Sequence, residues 1–238
     1  MIGAACALAV AAAVLMVATR SSAEEPPTNV VAGIAIPMTP LSRRAESYVR
    51  SREPDFLFNH SVRTYLFGAL SLKSRGLSYD PETAYVAALF HDWGLVPGHA
   101  SARFSFEIDG ANKAEEFVKA NGGTPEQARI VWNAIVMHDM GRPYQAHQSH
   151  EALLLGAGAG GDVDGVDPKI IPSAAVEQVL RAYPRLQFKK RFTAAAIDHC
   201  RRKPTSQIGW LATLCLKVAP NADRGSVEEE IAASPFTE

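Results

Sequence analysis

The chain has 238 residues, 47% hydrophobic and 21% charged, with a formal net charge of −1. That is enough chain to bury one sizeable core. It is too near neutrality, and too free of Lys/Arg-rich blocks, to present a nucleic-acid-binding surface. Modest aromatic content and ordinary Gly and Pro usage exclude fibrous and disordered classes.

Ile2 to Ala18 is an uninterrupted run of apolar and small residues. Ser21 and Ala23 follow it at the spacing of a signal-peptidase site, which places cleavage after Ala23. No Lys or Arg precedes the run, so an uncleaved anchor and a misassigned start are the competing readings, and the run is slightly short for a span. Residues 1–23 are read as signal peptide or anchor. The expected location is periplasmic or secreted if the segment is a signal, and cytoplasmic otherwise; membrane contact is expected only if the segment is retained. In an oxidising compartment Cys200 and Cys215 would be able to pair. The preferred reading is two buried small hydrophobes on consecutive helices.

Residues 24–40, with Pro26, Pro27, Pro37 and Pro40, read as a linker carrying an apolar strap from Val30 to Ile36. From Leu41 the pattern is helical. A first helix runs to Arg52 and is broken by Glu53-Pro54-Asp55. A second runs from Phe56 to Arg75, ended by Gly76. Asp80 caps a third, with Pro81 at its first position, ending at His91. Phe106 to Ala120 is a fourth. Thr124 opens a fifth, which carries Ile130, Ala134, Ile135 and His138. Ser149 to Leu155 is helical and Gly156 to Gly161 loose. Segments 172–183, 184–200 and 205–218 supply the last helices. No segment shows sustained β alternation, so the expected fold class is all-α, with one domain over 41–220 and a C-terminal tail over 221–238.

His91-Asp92 ends an apolar helix, where burying an imidazole and a carboxylate is costly unless both find a partner. A divalent metal accepts both. Further candidate ligands are His60 upstream and His138, His147, His150, Asp162 and Asp164 downstream. A lone histidine in the second helix would ordinarily be a hydrogen-bonded core or surface residue, but the His-Asp pair on the next helix reverses that balance. His138-Asp139 repeats the dipeptide at the end of another apolar helix. Asp162 and Asp164 sit among glycines, where turn formation is the plainer reading.

The order His60, His91-Asp92 and a distal Asp resembles the HD-domain superfamily of metal-dependent hydrolases. Four segments, Phe58–Tyr65, Ala88–Gly94, Phe106–Ala111 and Tyr183–Lys189, together resemble its cyanamide-hydratase-like branch, and the resemblance spans about residues 41 to 218. It implies a helical HD-domain bundle around one divalent ion, with His60, His91, Asp92 and Asp162 as ligands. Asp162 is taken over Asp164 because Gly161–Gly165 resembles the family's Asp-Val-x-Gly stretch. Zinc is the first choice of ion, with iron or manganese as alternatives. A second metal, held through His138 with His147 or His150, is the implied variant.

The implied chemistry is addition of water to a small carbon–nitrogen substrate through a metal-bound hydroxide. His138 and Asp92 are the candidate proton shuttles. Glu107 is expected either to orient substrate or to support a ligand histidine, its plain alternative being an exposed carboxylate at a helix start. A phosphohydrolase would need a clamp of cations, for which Arg63, Arg103, Lys113 and Arg142 are available but scattered in sequence. Lys189 and Arg191 read as a solvated face. A non-catalytic, metal-stabilised binding domain is the third class. The expected partner is a small-molecule substrate and no nucleic acid; a homo-oligomer is compatible with the sequence.

Overall fold

The structure, a computed structural model, describes residues 29–205 and 209–235; the reading of residues 1–23 falls outside them. The described chain is mostly helical, as expected. After a two-stranded hairpin, β1 (Val30–Val31) and β2 (Ile34–Ala35), come α1 (Pro40–Arg50), α2 (Asp55–Lys73) and α3 (Pro81–Phe90). One 3-10 turn, Trp93–Leu95, leads to α4 (Phe106–Ala120), α5 (Pro125–Met137), α6 (Arg142–Gln148) and α7 (His150–Asp164). Next are α8 (Ser173–Ala182), α9 (Phe188–Arg202), α10 (Gly209–Val218) and α11 (Val227–Ala232). Among the described residues no helix is long and apolar enough to cross a membrane.

The starts of these helices follow from local chemistry. Thr39, Asp80, Ser105, Thr124 and Ser149 each accept a backbone N–H at a helix N-terminus, and Pro follows directly at α1, α3 and α5. The apolar strap is the hairpin. It buries Ile34 and Ile36, and Tyr65 on α2 donates its hydroxyl to the Ala35 carbonyl.

Two expectations are corrected. The segment between His138 and His150, to which the sequence pattern assigns no helix, contains α6. The glycine run 156–161, read as loose, lies inside α7. The reason is the crossing of α7 over α2. A Cβ on Gly158 would stand 1.8 Å from the Thr64 carbonyl oxygen, and one on Gly68 would stand 2.2 Å from that of Leu154. The two backbones touch there, so packing between helices offsets the poor helix propensity of glycine, about 1 kcal/mol per residue. This contact also carries the last turn of α7 to the face of α2 that holds His60.

Two apolar clusters result. The larger joins the strap and α1–α5 to α7 and α8. The smaller is built from Phe56, Leu57, Leu95, Phe106, Phe188, Phe192 and residues of α9 and α10. Cys200 and Cys215 are buried in it as expected, but they form a disulfide, which corrects the free-thiol reading. A buried Lys203–Asp109 ion pair at 2.7 Å ties the end of α9 to α4.

Candidate metal centre

His60, His91 and Asp92 meet at the seam between the two clusters, all essentially buried. His60 lies in the second turn of α2. His91 is the C-cap of α3, and Asp92 opens the 3-10 turn. Capping sets the aim of His91. Its Nδ1 donates to the Ala88 carbonyl at 2.8 Å, satisfying one of the orphan carbonyls of the helix end and leaving the Nε2 lone pair facing inward. His138 does the same at the end of α5, donating Nδ1 to the Ile135 carbonyl at 2.6 Å.

The three inner atoms, His60 Nε2, His91 Nε2 and Asp92 Oδ2, form a triangle with every side 3.3 Å. That is the spacing of neighbouring ligands around an ion at about 2.0–2.2 Å from each. Two imidazole lone pairs and a buried carboxylate oxygen without a hydrogen-bond donor converge on one point. Such a set repels itself unless a proton or a metal cation joins it, and its donor types fit a divalent metal.

The distal aspartate takes a different position from the one the resemblance implies. Asp162 does not join the inner triangle. It accepts from the outer nitrogen of His60, Nδ1, at 2.7 Å. It also accepts from Arg63 Nε at 2.9 Å, Arg63 Nη2 at 2.7 Å and Arg185 Nη1 at 2.7 Å. Its carboxylate therefore fixes the tautomer and ring plane of His60 from behind. Asp164 lies on the wall of the cavity below. Of the other histidines, His147 is exposed on α6, and His150 faces the Ser78 carbonyl. Neither joins the triad.

The electrostatics agree with this division. Burial pushes the His91 imidazolium down to about 3, outweighing the pull of Asp92. Burial also acts against the charged form of His60, but its contacts with Asp162 and Asp92 win and raise its pKa. For Asp92, burial is overcome by His91 and His60, which hold its carboxyl down at about 2. Phe188 stacks on His60 at 4.6 Å, and Phe192 closes over it at 5.4 Å.

The triad opens on a cavity of about 400 Å³. Phe106, Phe192, Ala159 and the glycines of α7 form its apolar walls, and His138, Asp139, Arg142, Gln145 and Asp164 its polar ones. His138 meets the edge of His91 at 5.0 Å, beside the triad rather than in it. Glu107, expected at an exposed helix start under its plainer reading, is fully buried. Burial first, and Asp139 second, push its carboxyl up to about 9.

Of the four scattered cations, only Arg142 lines this cavity among the described residues. Arg63 is consumed by Asp162 and by the carbonyls of Tyr183 and Pro184. Lys113 pairs with Glu116, and Arg103 is exposed. On α9, Arg191 lies over Phe56 at 5.0 Å and Lys189 lines a separate hollow.

The family model of the HD domain matches residues 57–131. Over that segment the chain is similar to the HD domain. The matched segment contains His60, His91, Asp92 and Glu107 but stops short of His138 and Asp162. The HD superfamily is generally one of metal-dependent hydrolases, and the triad is a site able to hold the ion such an enzyme needs. No curated protein matches the chain.

Sequence reasoning missed several residues of this centre. Asp139 was noticed only as half of a repeated dipeptide. Gln145 lay in a segment to which no helix was assigned, and Arg142 was noticed only as a scattered cation. Glu53, read as part of a helix break, is buried near Asp92, and burial and that neighbour push its pKa well up. Arg63 carried a readable signal, an arginine three residues after His60 on a helix without a polar face.

Proposed function

We propose that this protein adds water to a small, uncharged carbon–nitrogen substrate of the cyanamide or nitrile kind, with a divalent metal, zinc by preference, held by His60, His91 and Asp92. The observation that carries this reading is the pairing of the triad with a compact cavity in which Arg142 is the sole arginine or lysine among the described lining residues. A phosphate ester would call for several cations around its oxygens. The ordered segments resembling the cyanamide-hydratase-like branch point the same way.

An ion at the triad would lower the pKa of a bound water toward neutrality. The remaining work falls to the chain. His138 keeps its Nδ1 proton on the Ile135 carbonyl, so its Nε2 is the free basic atom at the cavity wall and takes the proton released by the attacking water. Asp162 and Arg63 hold His60 in register. Phe106 and Phe192 exclude bulk water and strengthen every charge interaction within. Export is part of the proposal: the N-terminal apolar run and the Cys200–Cys215 bridge both suit an oxidising compartment.

The test is metal analysis of the purified chain, followed by turnover of cyanamide, small nitriles and p-nitrophenyl phosphate. Metal-dependent nitrile hydration, abolished in Asp92→Ala, is expected. Metal-dependent phosphate release without nitrile turnover would replace this reading with a phosphohydrolase.

A further inference from the structure

We infer that the hollow behind the metal centre, walled by α2, the end of α7, α8 and the start of α9, is a second ligand site. It takes a small monocarboxylate with a short apolar body, the carboxylate resting on Arg185 and Lys189. This site is independent of the hydration reading and of the chemistry at the triad.

The hollow has a volume of about 290 Å³. Phe67 on α2, Val166 just past α7, and Val176 and Leu180 one turn apart on α8 give it apolar walls. Phe67 belongs to the larger cluster and the other three pack against it, so the core fixes these walls before any ligand arrives. The volume lies at the bottom of the roughly 300–1,000 Å³ range of drug-sized sites, so the occupant is a small molecule.

Its polar end carries two cations with open donors. Arg185 uses only Nη1 within the protein, donating to the Asp162 carbonyl at 2.9 Å and to Asp162 Oδ1 at 2.7 Å. The guanidinium lies over the Phe188 ring at 4.7 Å, and the side chain is 30% exposed. Nε and Nη2 donate to no described residue. Those two N–H groups form one edge of the guanidinium, the edge that matches both oxygens of a carboxylate. Lys189, in the first turn of α9, is exposed and has neither hydrogen bond nor ion pair among the described residues.

The surrounding charges limit the ligand to one negative charge. Asp162 is compensated twice, by Arg63 and by Arg185, which leaves positive charge in excess at the hollow's edge. Lys189 adds to it. Asp164, exposed on the same wall, opposes a second negative charge on the ligand. A monocarboxylate is therefore favoured over phosphate or a dicarboxylate, and an amine meets two cations. Val163 and Asp164 line both this hollow and the metal cavity, so the last turn of α7 is the partition between them. Through Arg185 the bound carboxylate lies one residue behind Asp162, the support of His60.

The experiment is calorimetric titration of the full chain, zinc-loaded and metal-free, with isocaproate. Isoamylamine and inorganic phosphate serve as controls on the metal-free chain. Saturable binding of isocaproate in both metal states is expected, with neither control binding at the same concentration. Lys189→Met keeps an apolar stem and removes the charge; it should weaken isocaproate about 10-fold, the scale of one hydrogen bond to a charged group. Val176→Trp should fill the hollow and abolish binding with zinc stoichiometry unchanged, and Lys189→Met carries the test alone if that variant does not fold. No saturable binding, equal binding of either control, or binding that the variants leave intact overturns the proposal. Binding confined to the zinc-loaded chain places the acid on the metal and overturns it as well.

Discussion

Replacing Asp162 with asparagine distinguishes an orienting residue from a ligand. Its carboxylate receives four hydrogen bonds, one from His60 Nδ1, two from Arg63 and one from Arg185. The amide keeps one acceptor and turns the other into a donor, which then faces an N–H of Arg63 or His60. Arg63 has no exposed surface. Its guanidinium therefore loses half of its compensation where water cannot replace it, and breaking a buried pair of this kind costs about 3–5 kcal/mol. For a chain of this size each kcal/mol corresponds to about 2–4 °C, so the melting temperature of metal-free Asp162→Asn should fall by roughly 6–20 °C. Metal affinity should fall about 10- to 100-fold, the usual effect of removing a carboxylate that orients a ligand histidine. The assays are calorimetry of the metal-free chain and competitive zinc titration. Unchanged metal-free stability together with complete loss of metal would refute this reasoning and return Asp162 to the inner ligand set.

Three further outcomes are expected. His138→Ala should lower turnover by about 100- to 10,000-fold while retaining bound metal, measured by stoichiometry and kcat together, since its ring lies beside the triad. Glu107 has a folded pKa near 9, above its unfolded value of 4.5. The stability it contributes is thus full below about pH 4.5 and is lost as pH rises toward 9. Glu107→Gln should therefore gain on the wild type with rising pH, by a few °C at pH 8–9 and by nothing near pH 4, in thermal melts across that range. Reduction of the Cys200–Cys215 bridge, which closes a 15-residue separation, should cost about 3 kcal/mol in urea unfolding, with the loosening confined to α9 and α10 in hydrogen exchange.

The helices and the inner triad were legible because their signals are local. Thr39, Asp80 and Thr124 each cap a helix within three residues, and His91-Asp92 is conspicuous at the end of an apolar run. The glycine run of α7 was misread because its helicity comes from Thr64 and Gly68 on another helix, and no pattern within 156–161 encodes that contact. The disulfide was misjudged because spacing alone does not say whether two buried cysteines face each other.

Asp162 shows how far a motif reaches. Its order in the chain brings it to the centre, but which nitrogen of His60 it meets depends on Arg63 and Arg185, which compete for the same oxygens. An aspartate holding two guanidinium groups has little left to offer an ion. The arginines therefore select its role: they keep the carboxylate ionised at the outer nitrogen of His60, and that bond turns the inner nitrogen's lone pair toward His91 and Asp92. The same logic explains why α2 carries a fully buried arginine one turn from its ligand histidine. Without Arg63, the distal carboxylate would be free to swing into the triangle, and the geometry of the centre would no longer be set before a metal arrives.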